Sequence, residues 1–146
     1  MVGFLDDKYS INIGSRLAIQ LGCAAILVFN GLKIYDLGNI YFFGTVFLGS
    51  FSIIFTLLCV ILLMNTFNYL DGIDGLVGFF AILTIFSLNI LIFVNSGNYE
   101  VFLVLLFILF SVFLIFNMNS SQKLKIFLGD SGSLLTGYLL GTLGIY

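Results

Sequence analysis

The sequence contains no histidine, no proline and no tryptophan, and it has few charged residues. Without histidine, the chain has no imidazole that could act as a general base or a metal ligand. The absence of proline suits long, unbroken helices. Charged residues make up 8% of the chain and hydrophobic residues 61%, whereas soluble domains hold about 25% charged residues. The composition therefore predicts a membrane protein, with residues 1–146 forming a single transmembrane domain.

Cysteine is also scarce. Cys23 and Cys59 both lie inside apolar runs, where we expect buried thiols and not a disulfide framework. The net charge of −2 gives no reason to expect a nucleic-acid partner. The N-terminal residues MVGFLDDKYS lack the basic and apolar regions of a signal peptide. The missing histidines and buried thiols argue against hydrolysis by a catalytic triad or by zinc.

Long apolar runs without period-2 alternation predict membrane-spanning helices. The sequence predicts five of them: Leu17–Leu32, Ile40–Met64, Leu76–Val94, Val101–Phe116 and a last one from Leu134 to Tyr146. A span needs roughly 20 apolar residues, so the last helix looks short. The expected fold class is an all-α integral membrane protein with about five transmembrane helices.

The distribution of cations predicts the orientation in the membrane. Counting the five predicted crossings places four of the five cations on one side. That side holds Lys8, Arg16, Lys123 and Lys125, and the other holds Lys33. The four-cation side is expected to face the cytoplasm, and most of the acidic residues fall on the same side. The polar segments are therefore predicted to lie on the cytoplasmic face of the membrane.

Two polar segments carry closely spaced acids. Asp6 and Asp7 are adjacent, and adjacent carboxylates repel unless a cation or a shared proton holds them together; a solvated acidic loop explains them equally well. The second segment, NTFNYLDGIDGL at residues 65–76, places a polar residue at every third position. These residues are Asn65, Asn68, Asp71 and Asp74. Their hard oxygen atoms suit Mg²⁺, whereas a frayed helix end would explain only one Asp-Gly pair.

The third polar segment, KLKIFLGDSGS at residues 123–133, surrounds Asp130 with small residues before a predicted helix. Such a loop presents backbone N–H groups to a phosphate, and a capped helix start is the simpler alternative. Lys123 and Lys125 add positive charge. Carboxylates, amides, lysines and a glycine-rich turn on one membrane face together predict metal-assisted phosphoryl chemistry.

Three stretches in this order, GFLDDKY, NTFNYLDGIDGL and KIFLGDSGSLLTGYLL, resemble the polyprenyl-phosphate N-acetylhexosamine-1-phosphate transferases. This family, glycosyltransferase family 4, includes the enzymes that initiate O-antigen and teichoic acid synthesis and the phospho-MurNAc-pentapeptide translocase. The resemblance implies transfer of a sugar-1-phosphate from a UDP-sugar to undecaprenyl phosphate, with UMP released and Mg²⁺ required. It implies a place at the first step of a cell-envelope glycan pathway, such as lipopolysaccharide or cell wall biosynthesis, and leaves a homodimer open. It also implies a multi-pass protein of the bacterial cytoplasmic, or inner, membrane with its active face toward the cytoplasm.

The resemblance also implies roles for individual residues. Asp6 and Asp7 would be the catalytic pair near the lipid phosphate, and Asn68 and Asp130 the metal ligands. The nucleotide-sugar and diphosphate site would be shaped by Asn65, Asp71, Asp74 and Lys125, with Arg16 as a further phosphate contact.

The sequence departs from the family pattern in several places. Ser10 stands near the position of a third acid, Gln122 and Lys123 stand where proline is usual, and the histidine-rich loop has no counterpart. The chain would be the central part of a larger polytopic fold, truncated at both ends, and we expect it to be inactive by itself. The alternatives are an inactive fragment, an ion- or proton-coupled transporter segment, and a CDP-alcohol phosphotransferase. The last would require Ala-Arg where Val77 and Gly78 stand.

Overall fold

The computed structural model describes residues 12–41, 44–94, 100–119, 121 and 123–145. Five α-helices and one β-hairpin lie within these ranges. The helices are α1 (Ile13–Phe29), α2 (Ser52–Leu70), α3 (Leu76–Val94), α4 (Glu100–Asn117) and α5 (Gly129–Ile145). The hairpin pairs β1 (Asp36–Ile40) with β2 (Gly44–Phe47) in antiparallel register, and a 3₁₀ turn (Gly49–Phe51) leads into α2.

The hairpin corrects the predicted second helix, which begins at Ser52 and not at Ile40 and ends at Leu70 and not at Met64. Gly38 and Gly44 have φ angles of 77° and 69°, a left-handed conformation that glycine adopts easily and that a helix cannot contain. Aromatic residues such as Phe47 in β2 also favour strands. The apolar run therefore divides into a hairpin followed by a helix.

Two other helix starts differ from the prediction. The first helix begins at Ile13, so Arg16 lies in its first turn and not before it. The last helix begins at Gly129 and not at Leu134, which places Asp130 in its first turn. Both differences place on a helix a charged residue that the prediction had placed in a loop. The reason is that polar residues before each apolar run are also compatible with a helix, so the helix begins earlier than the run.

Two hydrophobic clusters hold the helices together. The first joins α3 and α4 through Val77, Ala81, Ile85, Leu103, Phe110 and Phe113, and Phe67 of α2 and Leu140 of α5 complete it. The second joins α1 to α2 and α5 through Ala24, Leu27, Val60, Met64 and Leu134. Because α2 and α5 contribute to both clusters, they form the centre of the described fold.

The contact between α2 and α5 depends on a glycine. A Cβ atom at Gly137 would lie 2.6 Å from the Cα of Met64 and 2.7 Å from the carbonyl oxygen of Leu63. Such close approach of two helix backbones is possible only without a side chain. Gly137 therefore sets how near the two central helices come to each other.

Many large apolar side chains remain exposed on the outside of these helices. Leu58 and Leu62 on α2 and Leu105 on α4 are each at least 60% exposed, and extended apolar surface of this kind suits lipid better than water. Among the described residues, Gly49–Leu70 is long and apolar enough to cross a membrane, and shorter apolar helices cover Ile13–Phe29, Leu76–Leu91 and Val101–Asn117. The five helices are confirmed, and their five crossings stay a prediction.

Candidate functional site

The ends of three helices bring Arg16, Asn68, Asp130 and Ser133 into one polar cluster. Asn68 Nδ2 donates to Asp130 Oδ1 at 2.6 Å and to Ser133 Oγ at 2.9 Å. Arg16 donates to Asn68 Oδ1, and its Nη1 lies 3.7 Å from Asp130 Oδ2. The side chain of Asn68 thus links the single cation of α1 to the single acid of α5.

Asp71 caps the C-terminal end of α2 and faces the start of α5. Burial raises the pKa of the Asp71 carboxyl, backbone hydrogen bonds from Gly129 and Leu128 oppose this, and the charge of Asp130 adds to the increase. The Oδ1 atom of Asp71 is buried without a hydrogen-bond partner among the described residues. A buried carboxylate oxygen of this kind suits a cation or a proton.

Asp74 and Lys125 form an ion pair at the edge of this cluster. The Lys125 ammonium also lies 5.3 Å from the centre of the Phe127 ring, within the range of a cation–π contact. The Asp74 side chain is 53% exposed. An exposed ion pair of this kind is weak, so Lys125 can exchange its carboxylate partner for a ligand phosphate.

Asn65 lies one helical turn before Asn68 and pairs with Gln20 of α1. The two amides bond in both directions, with Asn65 Nδ2 donating to Gln20 Oε1 at 2.9 Å and Gln20 Nε2 donating to Asn65 Oδ1 at 3.2 Å. Gln20 is 1% exposed. Because both amides are satisfied by each other, this pair fixes α1 against α2 below the polar cluster.

Two carboxyl groups near the polar cluster, those of Asp71 and Asp130, offer oxygen ligands for a divalent cation. Among the residues that the structure describes, no three His, Cys, Asp or Glu side chains are grouped closely enough to hold a metal ion. Mg²⁺ commonly uses one or two carboxylates and takes its other ligands from water and substrate phosphates. Asp130 and Asp71, whose buried Oδ1 has no described partner, therefore fit the ion. Asn68 Oδ1 would have to release Arg16 to join them.

The glycosyl transferase family 4 model matches residues 1–146, the whole chain. The chain belongs to glycosyl transferase family 4. This agrees with the family predicted from the polar segments.

Two curated proteins are similar to the chain. A probable undecaprenyl-phosphate N-acetylglucosaminyl 1-phosphate transferase of Bacillus subtilis strain 168 is 33% identical over 150 aligned residues, which cover 100% of this chain and 41% of the relative. An undecaprenyl-phosphate alpha-N-acetylglucosaminyl 1-phosphate transferase of Escherichia coli O157:H7 is 35% identical over 72 residues, 49% of this chain and 20% of the relative. The chain thus spans about two fifths of the B. subtilis relative. No solved structure matches it.

The predicted site residues of this family 4 chain fall into two groups. Those at the described polar end of the helices are Arg16, Asn65, Asn68, Asp71, Asp74, Lys125 and Asp130. Asp6 and Asp7, predicted as the catalytic pair, lie outside the described residues. The structure describes where the first group lies, and the roles of all nine stay predictions.

Sequence reasoning missed Gln20 and Asn117, and it treated Ser133 only as one of the small residues around Asp130. Each is a polar residue in or at the end of an apolar helix, and each is at most 1% exposed. A buried amide or hydroxyl in such a helix needs a partner. That signal was present in the sequence, but it could not indicate which partner each residue contacts.

Proposed function

We propose that this chain forms part of an enzyme that transfers N-acetylhexosamine-1-phosphate from a UDP-sugar to undecaprenyl phosphate. The products are a lipid-diphospho-sugar and UMP, and the reaction begins a cell-envelope glycan pathway. The observation that carries the proposal is the joining of Arg16, Asn68 and Asp130 across three helices. The names of the two relatives support the undecaprenyl phosphate acceptor and the N-acetylglucosaminyl 1-phosphate group.

Mg²⁺ is the proposed cofactor, held by Asp130 and Asn68, with Asp71 nearby. When bound, the ion would neutralise charge on the phosphate oxygens of the substrate. Asn68 holds Asp130 in place through its Nδ2 atom, since a ligating carboxylate needs such support. Arg16 already contacts an acid and an amide, and a guanidinium in that position can also bind a phosphate oxygen.

The remaining residues orient the nucleotide-sugar in this proposal. Lys125 leaves Asp74 for the diphosphate, which is the more highly charged anion. In this proposal the region that receives the diphosphate is bordered by Asp74, Asp71 and the Asn65–Gln20 amide pair. Asp6 and Asp7 are assigned to the lipid phosphate by the family resemblance. Phosphoryl transfer requires mainly alignment of the two substrates and stabilisation of negative charge, and these residues supply both.

A chimera tests the proposal without requiring the isolated chain to turn over. Residues 1–146 replace the matching segment of the B. subtilis relative, and UMP release is followed with UDP-N-acetylglucosamine, other UDP-sugars, undecaprenyl phosphate and Mg²⁺. We expect release that depends on both lipid phosphate and Mg²⁺. Asp130→Asn should reduce it on the order of 10³-fold.

The matched control is Asp36→Asn, which makes the same chemical change in the exposed hairpin at the other end of α2. It should leave the rate unchanged. A chimera that inserts and is as heat-stable as its parent, but releases no UMP in response to lipid phosphate, would refute the proposed reaction. Normal Mg²⁺-dependent transfer by Asp130→Asn would refute the metal assignment alone.

A further inference from the structure

A buried amide joins two loops next to the candidate site, a first loop of residues 71–75 and a second loop of residues 123–128. Asn117 is the last residue of α4 and is 1% exposed. Its Oδ1 accepts a hydrogen bond from the backbone N–H of Gly75 at 2.5 Å, and its Nδ2 donates to the backbone carbonyl of Ile126 at 2.8 Å. One side chain therefore satisfies one backbone group in each loop.

The two backbone groups directly follow the two members of the Asp74–Lys125 ion pair. Gly75 follows Asp74, and Ile126 follows Lys125. Further along the second loop, the backbone of Leu128 and Gly129 interacts with the carboxyl group of Asp71. The Asn117 amide thus lies between the loop that holds Asp71 and Asp74 and the loop that holds Lys125 and leads to Asp130.

The geometry of the first loop depends on this contact. Gly75 is buried with a φ angle of 77°, and a Cβ atom there would lie 3.0 Å from Cγ of Met118, the residue after Asn117. The chain from Gly75 to the end of α4 is therefore closely packed. Buried backbone groups left without a partner are costly, so losing the Asn117 amide would let the two loops separate to find other partners.

We propose that Asn117 is a positioning residue, which holds the loop of residues 71–75 at a fixed distance from the loop of residues 123–128. It touches neither substrate nor metal. Its effect on Mg²⁺ and on the nucleotide-sugar rests on the proposed function above, whereas its effect on the loop distance does not. The experiment therefore measures the distance and the metal affinity separately.

The loop distance is measured between spin labels at Ile73→Cys and Leu124→Cys, both at exposed positions, after Cys23→Ala and Cys59→Ala. The protein is purified in detergent, and the distance distribution is obtained by pulsed electron paramagnetic resonance. We expect a narrow distribution for the parent and a broader or longer one for Asn117→Leu, which removes both hydrogen bonds at similar volume. If Asn117→Leu fails to fold, Asn117→Asp takes its place. This variant keeps the acceptor for the Gly75 N–H but loses the donor to Ile126, and it should show the same broadening.

Two controls separate positioning from stability. Asn89→Leu makes the same chemical change on α3, where the amide donates to the backbone carbonyl of Ile85 in its own helix. Leu103→Ala removes a fully buried side chain of α4 and lowers thermal stability without touching either loop. Both controls should keep the narrow distribution. Broadening in Leu103→Ala equal to that in Asn117→Leu, or a narrow distribution in both Asn117 variants, would overturn the proposal.

The metal readout uses Mn²⁺ alone as a paramagnetic substitute for Mg²⁺. Substituting a residue that supports a metal ligand commonly weakens binding 10–100-fold, so Asn117→Leu should raise the Mn²⁺ dissociation constant by about tenfold. Asn89→Leu should leave it unchanged. Mn²⁺ binding that is the same in the parent and in Asp130→Asn would overturn the metal site in the proposed function, while the distance measurement would still decide the role of Asn117.

Discussion

Asn68 and Asp130 are separated by 62 residues of sequence, yet Asn68 Nδ2 donates to Asp130 Oδ1 at 2.6 Å. The contact joins the last turn of α2 to the first turn of α5, the two helices at the centre of the fold. It exists because Gly137 lets these helices approach closely along their length. Packing in the apolar part of the bundle therefore sets the geometry of the polar end.

The buried carboxyl group of Asp71 should make stability depend on pH. Its pKa is raised in the folded protein above the ordinary value of 3.8. Below that value both the folded and the unfolded chain hold the proton, so the raised pKa does not lower the stability. As the pH rises through the folded pKa, the unfolded chain releases the proton more readily, and folding stability falls.

Asp71→Asn cannot ionise and should escape that fall. Melting temperatures are measured from about pH 4 to about pH 8. The melting temperature of Asp71→Asn should rise relative to that of the parent as the pH increases. Asp36→Asn controls for the loss of one negative charge and should keep a constant offset. A constant offset for Asp71→Asn as well would mean that Asp71 is not disfavoured as a carboxylate by burial.

Lys125 should matter for substrate affinity more than for stability. Its partner Asp74 is 53% exposed, and exposed ion pairs contribute less than about 1 kcal/mol. A charged hydrogen bond to a phosphate contributes about 1.5 kcal/mol or more, so Lys125→Gln in the chimera should raise the KM for the UDP-sugar about tenfold. Lys123→Gln, two residues earlier, is the control. Equal effects of both substitutions would indicate a general charge effect and no specific contact by Lys125.

Gly137→Ala should destabilise the whole fold. The added Cβ atom would lie 2.6 Å from the Met64 backbone, and relief of such a clash commonly costs about 1–3 kcal/mol. Gly22→Ala is the matched control, because beyond its own helix backbone no atom of the described residues lies within 4 Å of the added group. A helical glycine replaced by alanine there gains about 0.5–1 kcal/mol. Unfolding in a denaturing detergent gives both values. Equal stability of the two variants would show that α2 and α5 do not approach as closely as described.

The hairpin and the polar cluster should lie on opposite sides of the membrane. Asn39→Cys and Ser121→Cys are introduced singly at exposed positions, in a background with Cys23→Ala and Cys59→Ala. An impermeant thiol reagent should label Asn39→Cys in intact cells and Ser121→Cys only after permeabilisation, because four of the five cations were assigned to the cytoplasmic side. Labelling of Ser121→Cys alone in intact cells would reverse the topology.

Part of the fold follows from the sequence because it depends on local properties. Continuous apolar runs without proline are sufficient to predict five helices, since lipid leaves the backbone few other ways to satisfy its hydrogen bonds. The boundaries were less certain, because an apolar run fits a strand as well as a helix. Asp36–Ile40 and Gly44–Phe47 pair as strands, and the positive φ angles of Gly38 and Gly44 are incompatible with the helix that the length of the run suggested.

By itself the sequence determined the polar segments, their order and the family, because these are properties of residue type and spacing. Only the tertiary structure decided the partners. Asn68 could have faced a metal ion, a substrate or another helix, and the packing of α1 and α5 against α2 places it between Arg16 and Asp130. Likewise, nothing local to Asn117 indicates that it joins Gly75 to Ile126. Such contacts link residues far apart in the chain, and the approach of the helices determines which of them form.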